Sequence, residues 1–107
     1  MSLVSEDRLE KALTYLAETD EPAALARAKA DTLKVYGKTA KAYGFIDATG
    51  TVAEREAISV TTPEYLHWFK ELEAAIMDSE QYINKRSTEA GIREVWRSLN
   101  ANRRQGG

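Results

Sequence analysis

The sequence predicts an all-α protein, an elongated antiparallel helical hairpin or bundle with two long helices and two shorter ones. Of its 107 residues only six are Gly and two are Pro, too few for an all-β protein rich in turns. Sixteen residues are Ala, whereas Leu, Ile, Val and Phe together number 21, close to the level of roughly one-fifth below which a chain struggles to build a core. This composition indicates helices that pack closely through Ala, with help from a partner subunit.

The first short helix and the first long one are separated by the segment ETDEPAA. Ser5 is the expected N-cap of the short helix, whose apolar positions follow the i, i+3, i+4, i+7 pattern of an amphipathic helix. Thr19 or Asp20 is the expected cap of a long helix at about residues 20–48, with Pro22 in its first turn, where its missing amide costs nothing. One half of that helix is apolar: Leu25, Ala28, Thr32, Tyr36, Ala40, Tyr43 and Ile46. The opposite half is basic: Arg27, Lys34, Lys38 and Lys41.

Two further helices follow Gly50. Thr51 and Glu54 form a capping box that begins a short third helix. Thr62 then caps the fourth helix, and Pro63 is its first residue, the position where proline is preorganised. This helix runs to about residue 101, a length of ~55–60 Å at 1.5 Å per residue, which is too long for a compact globule. We therefore expect the two long helices to lie antiparallel in a single domain of residues 1–107, with a frayed tail at 101–107.

The apolar stripe of the last helix changes direction part of the way along it. Apolar residues of its first half centre near +70° around the helix, and those of its second half centre near −130°, at ~100° per residue. Supercoiling drifts by only ~20° per heptad and does not reconcile the two. Either the helix breaks near residues 84–91, where Ser87 or Thr88 could cap a new helix and Gly91 could loosen the chain, or it continues and its second half faces another copy of the protein. The second explanation is favoured, with a dimer as the first choice, through the stripe Ile92, Val95, Trp96 and Leu99.

Basic residues of the last helix are the candidate contacts with an outside partner. Arg86, Arg93, Arg97 and Arg104 lie within ~20° of one line on a continuous helix, and the planar guanidinium suits phosphate or carboxylate. Lys34, Lys38 and Lys41 offer a second basic line. The competing interpretation is structural: net charge is −4, +4, −6 and +4 over residues 1–22, 23–46, 47–82 and 83–107, an alternation that suits helices pairing edge to edge. The acidic balance, with a pI of about 5.5, argues against a large nucleic-acid footprint.

Little in the sequence indicates chemistry. There is no Cys, and His67 is the only His, which excludes a site built from paired imidazoles within one subunit. Glu64, His67 and Glu71 share a helical face, an arrangement typical of a solvated salt bridge. No phosphate-binding loop or nucleophile elbow is present. We expect no enzyme activity, no metal and no cofactor, and the absence of a signal sequence or an apolar span predicts a cytoplasmic protein.

The segment KRSTEAGIREVWRSLNANRR resembles the C-terminal signature of small helical proteins encoded in bacteriophage and prophage genomes. The segments GTVAERE and TPEY are similar to the middle of those proteins. The resemblance covers most of the chain from residue 9, and residues 85–104 are its most specific part. It implies a phage accessory protein of a bacterial host, associated with DNA metabolism or recombination, and it brings no known catalytic residues.

These observations together predict a non-enzymatic, self-associating helical scaffold that docks an acidic partner through its C-terminal arginine face. The alternative is a protein that binds nucleic acid directly. We expect no membrane contact and no small-molecule substrate.

Overall fold

A computed structural model describes the backbone of residues 3–106 and the side chains of residues 3–103. Its described part consists of three helices: α1 (Glu6–Asp47), α2 (Val52–Ser59) and α3 (Pro63–Gly106). The predicted all-α class with two long helices is confirmed. The prediction of two shorter helices is wrong, because only α2 is short. Helix α3 includes residues 101–106, the segment that the sequence predicts to fray.

By its contacts the chain divides into two compact units, each of which receives residues from α1 and α3. Unit 1 comprises Met1–Ala24 and Glu80–Gly107, and unit 2 comprises Leu25–Ser79. In unit 1, Arg8 contacts Glu89 whereas Leu16 contacts Arg86, so residue numbers rise along α1 as they fall along α3. Within this unit the two helices are therefore antiparallel.

The predicted break between the first two helices does not occur, because the segment around Pro22 continues α1. Pro22 lies inside the helix, where its lack of an N–H removes one hydrogen bond of the ladder. Thr19 does not cap a new helix: its hydroxyl donates to the Tyr15 carbonyl at 2.6 Å. From α3, Nη1 of Arg86 donates to the Leu16 carbonyl at 2.8 Å and to the Thr19 hydroxyl at 2.7 Å. A cross-helix guanidinium thus holds the turn before the proline.

In unit 2 the contact between α1 and α3 is a seam of small residues. The α1 positions are spaced alternately by four and three residues, the repeat of a coiled coil, and all are buried or half-buried: residues 26, 30, 33, 37, 40 and 44. Five of these six are Ala or Gly, and the matching α3 seam includes the buried Ala75 and Ser79. The close approach is clearest at Gly37, which faces the ring of Trp68. The prediction of tight packing through Ala is therefore confirmed for unit 2.

Helices α2 and α3 each begin at the threonine cap that the sequence predicts. The Thr51 hydroxyl accepts from the Glu54 amide at 3.2 Å, and the Thr62 hydroxyl accepts from the Tyr65 amide at 3.2 Å as α3 begins. Gly50 has φ 118°, which favours glycine. Arg55 donates twice to the Phe45 carbonyl, at 3.0 and 3.1 Å, and so ties α2 back to α1.

In unit 1 the seam of α3 is polar. The same spacing continues without interruption through residues 82, 86, 89, 93, 96 and 100, all buried or half-buried. Thr88 lies in mid-helix and donates back to the Asn84 carbonyl at 3.1 Å. The alternative in which the last helix breaks near residues 84–91 is therefore wrong. The apolar stripe of α3 does not follow the seam through unit 1, because Arg86, Glu89 and Arg93 occupy seam positions there.

Candidate functional site

The large apolar residues of α1 in unit 2 lie outside the seam, with the exception of Leu33. Sequence periodicity groups them as the apolar half of the helix, but the structure buries the neighbouring Ala and Gly positions instead, and of that predicted half only Ala40 is buried. We define the α1 apolar face by the exposed residues Leu25, Val35, Tyr36, Tyr43 and Ile46. They fall within an arc of ~100° at 100° per residue. Val35 is 74% exposed and Ile46 67% exposed, so this face is open in the single chain.

Helix α3 carries a second open apolar surface. Its exposed members, the α3 apolar face, are Leu66, Phe69, Met77 and Ile83. They share an arc of ~120° at 100° per residue. Leu66, Phe69 and Met77 belong to unit 2, and Ile83 belongs to unit 1. Leu66 is 50% exposed and Met77 is 62% exposed, so these apolar side chains are uncovered in the single chain.

A groove of about 730 Å³ lies between α1 and α3 within unit 2. Its buried or half-buried lining comes from the seam and includes Leu33, Ala40, Gly44 and Trp68, and Tyr36 and Tyr43 line it from the α1 apolar face. Three carboxylates also line it, and no Lys or Arg does: Asp47, Glu64 and Glu71. The groove is therefore aromatic and acidic at once.

Trp68 is the fixed element of this groove. Its indole Nε1 donates to the Leu33 carbonyl at 2.6 Å. Its ring lies 5.1 Å from the Tyr65 ring and 6.2 Å from the Phe69 ring, centre to centre. A tryptophan held by a hydrogen bond and two ring contacts has little rotational freedom. Hydrophobic periodicity does not single out Trp68, because it stands beside Phe69. Only the heptad spacing of the seam distinguishes the half-buried Trp68 from the exposed Phe69.

The predicted basic line of α3 is not one continuous exposed surface. Arg86 has 25% of its side chain exposed and is bound to α1 through Leu16, Thr19 and Asp20. Arg93 is 39% exposed, and Arg97 is 66% exposed with its Nη1 3.4 Å from a Glu94 carboxylate oxygen. The predicted contact Arg104 lies outside the described side chains. The predicted α1 contacts Lys34, Lys38 and Lys41 are exposed. Nζ of Lys34 lies 3.9 Å from Oδ1 of Asp31.

The predicted self-association stripe lies beside the polar seam of unit 1. Ile92, Trp96 and Leu99 are half-buried, and Val95 is exposed. Trp96 occupies a seam position, whereas Ile92 and Leu99 flank the seam. Part of this stripe is therefore used within the chain, and the remainder is open to a partner.

An ion pair with a buried carboxylate takes the place of apolar packing in the seam of unit 1. Nη2 of Arg8 donates to Oε1 of Glu89 at 2.8 Å, and Nη1 lies 2.7 Å from Oε2. Only 11% of the Glu89 side chain is exposed. The hydrogen bond from Arg8 holds the pKa of Glu89 below its usual value, despite the opposing effect of burial. Hydrophobic periodicity gives no signal for this pair, because both residues read as surface charges in the sequence.

His67, the only His of the sequence, is exposed on α3. Nε2 of His67 lies 2.9 Å from Oε1 of Glu71, on exposed side chains. Residues 3–103 contain no group of three or more His, Asp and Glu side chains placed to hold a metal ion. Among the described helices, none combines the length and apolar character needed to cross a bilayer.

Comparisons with known proteins return no relationship. No protein-family model matches the chain, and neither a curated protein nor a solved structure does.

Proposed function

We propose that this chain is a non-enzymatic helical scaffold that self-associates through the large apolar side chains outside its seam. The observation that carries the proposal is that the buried apolar side chains are small whereas many large ones are exposed. Among the described residues the buried apolar side chains are five Ala and one Val: Val4, Ala12, Ala26, Ala30, Ala40 and Ala75. Fifteen large apolar side chains are at least 37% exposed. A second copy would supply the burial that the hairpin does not.

The magnitudes favour association through more than one face. Fully burying a Val, Leu, Ile, Phe or Met side chain contributes ~1.5–3 kcal/mol, so a half-exposed one has about half of that still to gain. The four residues of the α3 apolar face would then contribute about 3–6 kcal/mol per subunit. Association costs ~4–15 kcal/mol in lost freedom. Both apolar faces, from both subunits, are needed to exceed that cost comfortably.

The test is the mass in solution of variants that place charge on one face. Val35→Lys with Ile46→Lys adds two charges at highly exposed positions of the α1 apolar face, so the helix itself should persist. Ala24→Lys with Gln81→Lys adds the same charge at exposed positions outside both faces. Light scattering coupled to size exclusion should give an oligomer for the wild type and the control and a monomer for the face variant. A wild type that remains monomeric at high concentration would reject the proposal.

Docking of an acidic partner through the C-terminal arginines is part of the same proposal. Arg97 is the best-exposed described member of that set, whereas Arg86 is already engaged by α1. Replacing Arg97 should weaken such a contact without loss of stability. A phage accessory role is what the sequence resemblance implies, and it stays a prediction.

Direct nucleic-acid binding is the second candidate, because Lys34, Lys38 and Lys41 are exposed on one side of α1. Each phosphate contact releases counterions, so affinity for labelled single- or double-stranded DNA should fall steeply with salt. Glutamine replacements of all three lysines should flatten that dependence. Absence of binding at low salt would reject this candidate and leave the scaffold proposal intact.

A further inference from the structure

We propose that the groove of unit 2 receives the end of α3 from a second copy, at residues 92–103. This inference rests on the proposed self-association and names one contact within it. It joins two surfaces that the single chain leaves exposed or half-buried. One is the aromatic and acidic groove, and the other is the apolar and basic end of α3.

The groove selects for a cationic amphipathic helix. Its apolar lining includes Tyr36 and Tyr43, and none of its lining residues is Lys or Arg. Of its three carboxylates, Glu71 lies 2.9 Å from Nε2 of His67, which also lines the groove. A cation over a tyrosine ring gains ~0.5–2 kcal/mol, and a nearby carboxylate adds attraction. Aromatic walls with acidic groups are therefore suited to apolar residues that alternate with Arg or Lys.

The end of α3 has this composition. Val95 and Leu99 follow Ile92 at i+3 and i+7, and Arg103 follows Leu99 by four residues, which places all four within ~80° on one side of the helix. Val95 and Arg103 are exposed, and the other two are half-buried. Trp96, Leu99, Asn100 and Arg103 also line a shared surface depression. An apolar stripe on this side thus ends in an exposed cation.

The lengths of the two surfaces agree. Residues 92–103 span ~17 Å along α3, and the α1 lining of the groove, from Thr32 to Asp47, spans ~23 Å at 1.5 Å per residue. About three helical turns can therefore lie along the groove without overhang. Helix-in-groove recognition through i, i+3 and i+7 anchors is a common mode of association.

Charge identifies the occupant as a copy of this chain. Residues 83–107 carry six basic and two acidic residues, the sign that the groove requires. In a two-fold dimer each groove would receive the partner's α3 end, so both contacts form at once and the assembly closes. The same exchange would cover part of the α1 apolar face, through Tyr36 and Tyr43.

Reciprocal charge reversal tests the pairing. The groove variant is Glu64→Lys with Glu71→Lys, and the tail variant is Asn102→Glu with Arg103→Glu. Each variant alone opposes like charges and should self-associate about tenfold or more weakly than the wild type. An equimolar mixture should recover association as a one-to-one heteromer, because a basic groove then meets an acidic tail and an acidic groove meets a basic tail. Native mass spectrometry separates the heteromer from both homomers by mass.

The control for the groove variant is Glu10→Lys with Glu18→Lys, which makes the same charge change at exposed positions of unit 1. This control should associate like the wild type. Circular dichroism should show unchanged helix content in every variant. If the wild type is monomeric, the proposed function and this inference fail together. If the wild type associates and both variants associate equally well, self-association stands and the groove contact is wrong, which leaves the groove to a cationic ligand from outside the assembly.

Discussion

Replacing Gly37 with Ala should destabilise the protein, although alanine is the better helix former. An ideal Cβ built on Gly37 would lie 2.5 Å from Cη2 of the Trp68 ring and nearer still to Cζ2. Real Cβ atoms essentially never approach another heavy atom within 3.0 Å. The ring cannot yield freely, because the Leu33 carbonyl holds its Nε1 at 2.6 Å. Either α1 and α3 separate locally or the indole leaves its place.

The expected magnitude combines three contributions. Ala in place of Gly gains about 1 kcal/mol within a helix. Forcing an extra methyl group into a packed site costs ~1–3 kcal/mol, and weakening the Trp68 hydrogen bond costs a further ~1 kcal/mol. The free energy of unfolding should therefore fall by about 1–3 kcal/mol.

Gly91 supplies the matched control on the other long helix. It is exposed, and a Cβ built on it meets nothing within 4 Å. Gly91→Ala should therefore gain the full helix propensity and raise the free energy of unfolding by about 1 kcal/mol. The same chemical change then has opposite signs at two helical positions, and only the packing differs.

Urea unfolding followed by circular dichroism measures both variants at one fixed protein concentration, because self-association would add a concentration-dependent contribution. Gly37→Ala should shift the midpoint down and Gly91→Ala should shift it up, with similar slopes. Trp68 fluorescence, in a background of Trp96→Phe, should change in the Gly37 variant. Equal stabilisation by both substitutions would refute the close approach of α1 and α3 at Gly37.

Three further predictions concern single contacts. Glu89→Gln should lower stability at neutral pH, and because the folded pKa of Glu89 is depressed, the wild type should lose this advantage as pH falls below ~4.3. Urea midpoints of the two proteins that fail to converge in acid would contradict this. Arg86→Met should lower the free energy of unfolding by about 1–2 kcal/mol, because it releases the α1 turn before Pro22. Arg97→Met should leave the thermal midpoint nearly unchanged. Equal midpoints for the two variants would show that the contacts of Arg86 with α1 do not stabilise the fold. Gly50→Ala should cost about 1–3 kcal/mol, since φ 118° strains an L side chain, and an unchanged midpoint would show that the turn relaxes.

The sequence predicts the fold class, the capping of α2 and the beginning of α3 because these depend on local chemistry. Thr51 and Thr62 each have a helix-initiating pattern within four residues, and nothing distant overrides it. The prediction of a break at Pro22 was wrong because a distant contact overrides the local chemistry. A guanidinium from α3, 64 residues further along the chain, stabilises the turn that proline weakens.

The side of each helix that faces its partner was harder to predict, because the small apolar residues are buried and many large ones are exposed. Periodicity gives most weight to large apolar residues, so Tyr36 and Tyr43 define the apparent inner half of α1. The seam instead follows Ala and Gly at alternating spacings of four and three, a signal that is present in the sequence but weak on hydropathy alone. The ion pair of Arg8 with Glu89 leaves no such signal, because only the packed helices bring the two residues together.

Sedimentation equilibrium of the wild-type chain tests the central claim most directly. The exposed apolar faces predict a concentration-dependent mass that approaches at least twice the 12.0 kDa of one chain. A mass of one chain at every concentration, with helix content intact, would contradict the account.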